Sequence, residues 1–377
     1  MFYKTHITVH NKLRMNKWKS FTFLNGTRVI VEPSEVKHAL MKFPKADIVY
    51  PWLSKPTDEP YLGNGLLTST DEEWKTSRKI LNNEFSPQNT EMMHSVMESS
   101  VCSQLDSLRV GQLDLLDTMM QLTLDVLCTT LFGSTEMQYN QDIVNDVQTI
   151  AKEVTRYIVP TYQPIRKDYL YQLWLNKKIK NVREYQDQFQ GDTPFMKKII
   201  QMSENESEFR SHMVTFFTAG HETTAKALTF TLWLLYQPEN SHIVDAIRNE
   251  DVSMLDSLID ESLRLYPPAG GGLFRKDPTT DATVLIPVYS LHRHPHYWED
   301  PDSFHIDRTM VKDMYYPFSF GKRNCIGEHF AKQEMRIILT EFVKRFKLTN
   351  LPKDITTVVK PVLEPEENII CWNSAYP

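Results

Sequence analysis

The chain has 377 residues, 41% of them hydrophobic and 24% charged, so it is long enough and apolar enough to bury a sizeable core. Its formal net charge of -6 argues against nucleic-acid binding, which needs a basic surface, and no run approaches the roughly 20 apolar residues of a transmembrane helix. Four scattered cysteines without CxxC pairing exclude a cysteine-rich zinc site and favour a reducing cytosol over a disulfide scaffold.

The elements predicted from the N-terminus onward are mostly helices. The basic start lacks the apolar core of a secretion signal, and we interpret it as a frayed terminus. Residues 21–31 form a predicted hairpin, because β-type runs flank the turn dipeptide Asn25-Gly26. The hydrophobic period then predicts helices near 71–82, 92–109, 114–132, 142–157, 168–189, 208–237, 239–249 and 252–266.

The C-terminal part alternates between regular and irregular structure. A second β-rich stretch is expected near 282–291, followed by an aromatic- and proline-rich section (292–320) and a last long helix over 327–345. No repeat, low-complexity tract or linker divides the chain. We therefore expect one domain over residues 1–377, mainly α with small β-sheets.

The helix predicted at 208–237 carries polar residues where an apolar pattern predicts burial. The stretch "MVTFFTAGHETTAKALTFTLWLLY" is apolar on nearly every side, so Glu222 and Thr223 need a reason to be there. An acid and an alcohol side by side can relay protons. The alternative is structural, because a helical threonine often bonds to its own turn and a glutamate can join an ion pair.

Three other groups of polar residues have spacings that are weak signals on their own. Trp74 and Arg78 lie one helical turn apart, and Glu261 and Arg264 are neighbours at i, i+3. The run "SLHRHPHYWEDP" places histidines at alternating positions, but Pro295 interrupts a regular strand, so a structural role is favoured over a metal site.

The loop around Cys325, within "YPFSFGKRNCIGEHFAKQEM", has the pattern of a thiolate site. Gly321 and Gly327 permit tight turns and let peptide N–H groups point at the sulfur, and the following helix adds its positive end. Arg323 has a guanidinium suited to a carboxylate. A thiolate beside a carboxylate-binding arginine suits haem; a nucleophilic cysteine and a purely structural one remain alternatives.

The same loop resembles the haem-binding signature of the cytochrome P-450 superfamily. The fixed residues of that signature are found here as Phe318, Gly321, Arg323, Cys325 and Gly327, and the continuation with Ala331 and Glu334 is similar too. The resemblance implies the superfamily's mainly α prism fold with small β-sheets. It also implies that Cys325 binds the iron of haem b (iron protoporphyrin IX) as an axial thiolate ligand.

The resemblance assigns roles to the remaining motifs. Ala219 to Thr224 resembles the distal oxygen-activation motif, in which Gly220 leaves room for dioxygen and Glu222 and Thr223 are the catalytic proton relay. It makes Trp74 and Arg78 haem-propionate donors, with Arg275 as a further partner. A structural network is expected to join three residues: Glu261, Arg264 and Arg308.

The sequence also departs from the family. It begins almost at the first sheet, without the N-terminal anchor and proline hinge of membrane-bound members. We expect a soluble, cytoplasmic protein whose membrane contact is at most peripheral, through the aromatic segment 157–175. Gly270-Gly271-Gly272 stands where family members line the pocket with larger residues, so we expect a wider or looser pocket there.

The resemblance implies a haem-thiolate monooxygenase that inserts one oxygen atom of O2 into a lipophilic small molecule. We expect a monomer that receives electrons from a separate donor of flavin reductase or ferredoxin type, with Lys75, Lys79, Lys322 and Lys332 as a candidate basic docking face or as ordinary solvated lysines. The alternatives are a haem-thiolate isomerase, dehydratase or peroxygenase, which often lack the acid–alcohol pair, and a non-catalytic haem protein.

Overall fold

The computed structural model describes residues 5–46, 63–69, 71–133, 146, 149, 176–182, 184, 191–359 and 362–375. The main helices are α1 (Thr5–Met15), α2 (Pro33–Lys42), α3 (Asp71–Leu81), α4 (Pro87–Met92), α5 (His94–Ser107), α6 (Leu115–Leu127), α7 (Pro194–Met202), α8 (Glu206–Leu235), α9 (Ser241–Arg248), α10 (Leu255–Leu265), α11 (Val288–Leu291) and α12 (Glu328–Arg345).

The strands are short and form three small sheets. They are β1 (Phe21–Thr22), β2 (Arg28–Val29), β3 (Gly111–Asp114), β4 (Leu273–Lys276), β5 (Thr283–Ile286), β6 (Phe346–Thr349), β7 (Thr357–Val359), β8 (Leu363–Pro365) and β9 (Ile370–Ala375). The sheet orders are β1-β2-β5-β4, β3-β9-β6 and β7-β8. Among these described strands, only β2 and β5 pair in parallel, with Val29 opposite Leu285.

The long helix α8 is the element around which the larger core is built. It spans 30 residues, begins at the capping side chain of Asn205, and packs against α6, α10 and α12. Its buried threonines do not leave their hydroxyls unpaired, because each donates to the carbonyl four residues earlier; Thr215, Thr229 and Thr231 do so at 2.8 Å. The helix can therefore lie in an apolar core although it carries these hydroxyl groups.

The N-terminal interpretation as a frayed terminus was wrong. Residues Thr5–Met15 form α1, which packs against α11 and buries Val9 and Leu13. Trp18 and His294 hold the same region together through their rings, whose centroids lie 4.8 Å apart. The basic side chains, on which the interpretation as a frayed terminus rested, lie on the outer face of an amphipathic helix.

The predicted helices and sheets agree with the structure to within a few residues where both exist. The hairpin forms as β1 and β2, with Gly26 at φ +84° in the turn. The β-rich stretch at 282–291 divides into β5 and the short helix α11. Apart from residues 146 and 149, the helix predicted at 142–157 lies outside the described residues, as do most of the one at 168–189 and the segment 157–175. Strands β3, β4 and β6 to β9 were not predicted.

Helix α6 and the turn after it have the length and composition of a membrane span. The window Leu115–Phe132 meets both criteria, but 72% of it is buried inside the protein. A core helix of a globular protein passes the same test, because its surroundings are equally apolar.

One buried carboxyl stands out in this core. Glu334 on α12 is completely buried, and neither of its oxygens has a hydrogen-bond partner within normal distance among the described residues. Burial raises the pKa of Glu334 well above its ordinary value, and the nearby Thr224 hydroxyl offsets this only in part. Burial therefore favours the neutral, protonated form of this side chain.

We expect Glu334→Gln to stabilise the protein at alkaline pH. Because the pKa of Glu334 is raised in the folded state, the wild type loses stability as pH rises from the unfolded pKa toward the folded one. The glutamine variant lacks this loss, so its unfolding free energy should exceed that of the wild type at pH 8, by a difference that shrinks toward pH 5. Denaturant titrations at both pH values measure the difference.

Glu341→Gln is the control on the same helix, and its effect should have the opposite sign. Burial alone would raise the pKa of Glu341, but Arg345 and Lys344 hold it below its ordinary value. Its loss should therefore destabilise the protein at pH 8. Equal effects of the two substitutions at both pH values would contradict the neutral state of Glu334.

Candidate functional site

The Cys325 loop is closed by a backbone hydrogen bond from the cysteine itself. The Cys325 N–H donates to the Phe318 carbonyl at 2.9 Å, and a single 3-10 turn, Gly321–Arg323, leads into it. Gly321 has φ +77°, and a Cβ there would lie 2.7 Å from the Leu40 carbonyl oxygen. This position therefore requires glycine both for its backbone conformation and for its close approach to α2.

The Cys325 thiol is accessible from one side although protein atoms crowd around it on the others. Burial raises the pKa of the thiol, while the Gly327 N–H and the charge of Arg78 oppose the shift in part. A nucleophilic cysteine needs a lowered pKa, so this environment does not match one. A metal cation would supply the missing positive charge and displace the proton.

Arg323 and Trp74 come together beside this loop. The guanidinium carbon of Arg323 lies 3.9 Å from the centre of the Trp74 ring, which is the geometry of a cation–π contact. Both terminal nitrogens of Arg323 also donate to the Ser69 carbonyl at 3.3 Å. The segment before α3, the helix itself and the cysteine loop thus converge on one guanidinium.

Lys45 is a member of this site that the sequence analysis missed. Its backbone bridges Arg275 on β4, and its ammonium donates to the Leu67 carbonyl. Burial, followed by repulsion from Arg323 and Arg275, lowers the pKa of Lys45 well below its ordinary value. Arg275 itself is buried and donates to the Phe274 carbonyl and, at 3.5 Å, to the Ser319 hydroxyl.

We call Lys45, Arg275 and Arg323 the cation cluster. Arg323 and Arg275 lie near enough to Lys45 to lower its pKa by repulsion, and three neighbouring cations suit an anionic ligand. Nothing in the sequence near "MKFPKADIV" distinguishes Lys45 from a surface lysine. Its role depends on the pairing of this segment with β4.

Arg78 is engaged with the cysteine loop rather than with the cation cluster. Its terminal nitrogens donate to the Asn324 carbonyl at 2.7 Å and to the Asn324 side-chain oxygen at 2.8 Å, and its Nε donates to Asn82 at 2.6 Å. All three guanidinium nitrogens of Arg78 thus donate to protein groups, and two of them hold Asn324, the residue that precedes Cys325. Its assignment as a propionate donor stays a prediction.

The glycines differ in what they make room for. A Cβ at Gly327 would meet no protein atom within 4 Å, so the start of α12 is open beside Cys325. A Cβ at Gly220 would lie 2.7 Å from the Leu127 side chain on α6. The sequence analysis assigned Gly220 to dioxygen binding; in the structure, its missing side chain lets α6 and α8 approach each other.

Glu222 and Thr223 lie on α8 but are not hydrogen-bonded to each other. Thr223 is half-buried and donates to the Ala219 carbonyl at 3.0 Å. Glu222 is 2% exposed and accepts from the ammonium of Lys226 at 2.6 Å. The sequence analysis left an ion pair of Glu222 as the alternative to proton relay, and the structure contains that ion pair.

The three residues of the expected structural network are in contact. Arg264 donates through Nε and one terminal nitrogen to both oxygens of Glu261, at 2.7 and 2.8 Å, and Arg308 donates to Glu261 at 3.1 Å. Arg264 and Glu261 are fully buried, and Arg264 also donates to the carbonyls of His292, Pro301 and Ser303. Removing one partner from such a network typically costs about 3–5 kcal/mol.

His292, the first histidine of the run, has a structural role. His292 is buried and donates from Nδ1 to the Arg264 carbonyl, while its Nε2 accepts from the Tyr316 N–H. Burial lowers the pKa of His292 to about 3, so the ring stays neutral and this tautomer is kept. Within the described ranges, no group of three or more His, Cys, Asp or Glu side chains is arranged to hold a metal ion.

The expected basic docking face is only partly available. Lys75 pairs with Glu72 at 2.5 Å, and Lys332 pairs with Asp260 at 2.9 Å. Lys79 and Lys322 are exposed. The surface is therefore less basic than the count of lysines indicates.

The residues at the site fit haem. The accessible Cys325 sulfur suits the iron, the open space at Gly327 suits a flat ring, and the cation cluster suits two carboxylates. The loop leads directly into α12, which packs against α8, the helix that carries Thr223.

Comparison with known proteins agrees with this arrangement. The sequence profile of the family described as Cytochrome P450 matches residues 16–372. A probable cytochrome P450 4p2 of Drosophila melanogaster is 25% identical over 378 residues, covering 78% of this chain and 72% of the relative. Cytokinin hydroxylase of Arabidopsis thaliana is 26% identical over 392 residues, covering 87% of this chain and 75% of the relative.

The fold has close counterparts among solved structures. A six-coordinate cytochrome P450 from Thermus thermophilus aligns over 98% of both chains with a TM-score of 0.81 and 25% identity. A second cytochrome P450, from another strain of the same bacterium, aligns over 98% of this chain and 96% of its own with a TM-score of 0.82 and 24% identity. The predicted mainly α fold with small sheets is confirmed.

We expect Lys45→Met to weaken haem retention without weakening the apoprotein. Loss of one charge-assisted hydrogen bond to a propionate should accelerate haem transfer to apomyoglobin by about tenfold. The apoprotein should keep its stability, because burial and the two neighbouring arginines already disfavour the charged ammonium at this position. The control is Lys42→Met, which removes an exposed lysine at the end of α2. Unchanged haem transfer in Lys45→Met would contradict the assignment.

Proposed function

Because the chain belongs to the cytochrome P450 superfamily, we propose that it is a haem-thiolate monooxygenase acting on a lipophilic small molecule. Superfamily membership implies haem and oxidoreductase chemistry in general, and the proposal adds the class of reaction and the residues. One oxygen atom of O2 enters the substrate RH to give ROH, and the other leaves as water, with two electrons from a donor protein and two protons.

The observation that carries the proposal is the environment of Cys325. A sulfur that is accessible on one side, receives the Gly327 N–H and lies in a loop closed on Phe318 would be suited to bind the iron of haem. We assign haem b as the cofactor, with Cys325 on its iron and Trp74 and the cation cluster at its propionates. When bound, haem supplies the iron at which dioxygen is reduced.

The polar residues of α8 supply the protons. The Thr223 hydroxyl is half-buried on the long helix and is free to exchange its bond to the Ala219 carbonyl for one to an oxygen atom or a water. Glu222, the neighbouring acid, resupplies the proton that Thr223 passes on. The Glu261 network keeps α10 and the 292–308 section in place behind the site.

We further propose that residues 1–377 form a single haem domain that works as a soluble, cytoplasmic monomer, at most peripheral to a membrane. Tyr315 supports the single domain, because its side chain packs both against the core around α8 and against the second core, which includes the buried residues of β2 and β5. Electrons would come from a flavin reductase or ferredoxin-type donor that docks near Lys79 and Lys322. An isomerase, dehydratase or peroxygenase, or a non-catalytic haem protein, would share the cofactor and differ in oxygen chemistry.

The first test concerns ligation of the iron. In the reduced, CO-bound protein we expect the absorption band diagnostic of thiolate ligation, and Cys325→Ser should lose it because a neutral hydroxyl replaces the sulfur. Cys102→Ser, which changes a half-buried thiol on α5, should keep the band. A serine variant at 325 that retains the thiolate band would refute the assignment.

The second test concerns oxygen chemistry. Thr223→Ala should leave haem content and the CO spectrum unchanged but raise hydrogen peroxide per electron consumed and lower product formation by on the order of 10²-fold. Thr229→Ala is the matched control, because it removes the same kind of bond to the carbonyl four residues earlier on the same helix. The assay uses a surrogate reductase and a compound found by its shift of the haem Soret band.

Unchanged coupling in Thr223→Ala would make the threonine structural and favour a peroxygenase or non-catalytic protein. A wild type that keeps the thiolate CO band but forms no product from any compound that shifts the Soret band would favour the same alternatives.

A further inference from the structure

One buried hydroxyl group links α6 to α8. Thr123 on α6 is completely buried, and its Oγ1 lies 3.1 Å from the backbone carbonyl oxygen of His221 on α8. The same hydroxyl lies 2.9 Å from the Met119 carbonyl oxygen and 3.4 Å from that of Met120, both on its own helix. A hydroxyl has a single proton, so carbonyls of two different helices compete for it.

The turn of α8 beside this contact is the one that is not fully enclosed. Between Ser211 and Leu235, the residues that are not buried are Thr218, Ala219, Gly220 and Thr223. Ala219 and Thr223 lie one turn apart on one face of the helix, and His221 lies on the opposite face. The hydroxyl of Thr123 therefore contacts the enclosed side of the turn that presents Thr223.

This turn has an unusual number of side-chain donors on its backbone carbonyls. The donor and acceptor pairs are His221 Nδ1 to Phe217 at 2.5 Å, Thr223 to Ala219 at 3.0 Å, Thr224 to Gly220 at 3.3 Å and Thr123 to His221 at 3.1 Å. Donors of this kind compete with the main-chain bonds and can bend a helix. Three of the four belong to α8 and move with it, whereas Thr123 belongs to α6.

A glycine brings the two helices close enough for this contact. A Cβ at Gly220 would lie 2.7 Å from Leu127 Cδ1, and Leu127 lies one turn after Thr123 on the same face of α6. The close approach and the hydrogen bond are therefore on neighbouring turns of α6. The glycines at 270–272, expected to widen the pocket, likewise let another element, the β7–β8 hairpin, pack closely.

Helix α6 is itself held at several points, so a bond to it restricts α8. Asp125 on α6 accepts from the Ser100 hydroxyl on α5 at 2.6 Å. Just after α6, the Leu131 carbonyl accepts from the hydroxyl of Thr193, which precedes α7. A hydrogen bond from α6 therefore fixes the turn of α8 relative to the core, which a bond within α8 cannot do.

We propose that Thr123 is a positioning residue, which ties the His221 carbonyl to α6 and thereby fixes the orientation in which α8 presents Thr223. The inference rests on the proposed monooxygenase function, in which Thr223 acts on protons. Without the Thr123 hydroxyl, the His221 carbonyl keeps the main-chain N–H of Ala225 but loses its bond to α6. Thr223 is then presented in more than one orientation.

The alternative is that Thr123 only satisfies its own hydroxyl. Its bond to the Met119 carbonyl, four residues earlier, is of the kind that helical threonines commonly make. In that case α8 would not respond when the hydroxyl is removed. The two readings therefore differ in what happens on α8 when α6 is changed.

The first test measures the backbone of α8 without turnover. Thr123→Val replaces the hydroxyl with a methyl group of similar size, and amide hydrogen exchange is followed in the ferric holoprotein by mass spectrometry with fragmentation. Exchange at residues 221–226 should accelerate about tenfold, because a buried hydrogen bond is lost, while residues 229–235 should be unchanged. Thr118→Val is the control, because the Thr118 hydroxyl donates within its own segment, to the Asp114 carbonyl at 2.7 Å.

The second test reads the orientation of Thr223 through carbon monoxide bound to the reduced holoprotein. The infrared C–O stretching band depends on polar groups beside the ligand, so Thr223→Ala should shift it. Thr123→Val should split the band or move it part of the way in the same direction. In the Thr223→Ala background, Thr123→Val should add nothing, because the group that it positions is gone. Thr118→Val should leave the band unchanged.

A conservative variant separates the hydroxyl from the packing of the side chain. Thr123→Ser keeps the hydroxyl and should return both the exchange rates and the C–O band toward the wild-type values. If Thr123→Val does not fold, Thr123→Ala replaces it and is compared with Thr123→Ser. Both of these variants lack the methyl group, so they differ only in the hydroxyl.

The outcomes distinguish this inference from the proposed function. Absence of the thiolate CO band, or a C–O band that Thr223→Ala leaves unchanged, contradicts the proposed function. A band that responds to Thr223→Ala but not to Thr123→Val overturns the positioning role alone, and so do unchanged exchange rates at residues 221–226. Acceleration by the same factor along all of α8 also overturns it, because that result indicates only a lower global stability.

Discussion

A thiol surrounded by protein atoms ionises only where positive charge compensates for the lost hydration, and the site is built around this constraint. Burial raises the pKa of Cys325, and the Gly327 N–H offsets it only in part. Iron would provide the compensation for the sulfur. Lys45, Arg275 and Arg323 lie together beside this loop, and their positive charges suit a ligand with two carboxylates.

The protein handles its buried charges in two distinct ways. In the Glu261 network, the carboxylate accepts hydrogen bonds from two arginines and from the His305 N–H. Arg264 donates its other hydrogen bonds to backbone carbonyls. Such a network is rigid, because no member can move without leaving a charge unpaired. In the Lys226 cluster, a single ammonium on α8 donates to two carboxylates, Glu222 on the same helix and Glu364 on β8.

Glycine residues allow two other elements to pack closely against α8. Gly220 lets α6 lie against the helix, and the glycines at 270–272 let the β7–β8 hairpin settle above it. The hairpin brings a carboxylate onto a helix whose own hydroxyls are already bonded to its backbone. The ion pair between Glu364 and Lys226 therefore depends on backbone packing, because the glycines at 270–272 let the hairpin come close to α8.

The sequence by itself determined those features that depend on residues near one another along the chain. The helical period located α3, α5, α8 and α12, Asn25-Gly26 located the first hairpin, and the spacing of Glu261 and Arg264 placed both on one face. The glycine-framed motif around Cys325 indicated a haem-thiolate site, since its loop is closed by residues only a few positions away.

Only the tertiary structure decided which distant residues meet. Strands such as β3 and β9 are too short to be identified by their own pattern, because their stability comes from a partner far along the chain, as Gln112 opposite Trp372 shows. Lys45 looks like any lysine until β4 brings Arg275 beside it. Glu222 suits a proton relay or an ion pair equally well in the sequence. The ion pair with Lys226 is visible only in the structure, where both side chains are buried together with Glu364. Such pairing follows from burial, because a buried charge without a partner is too costly to keep.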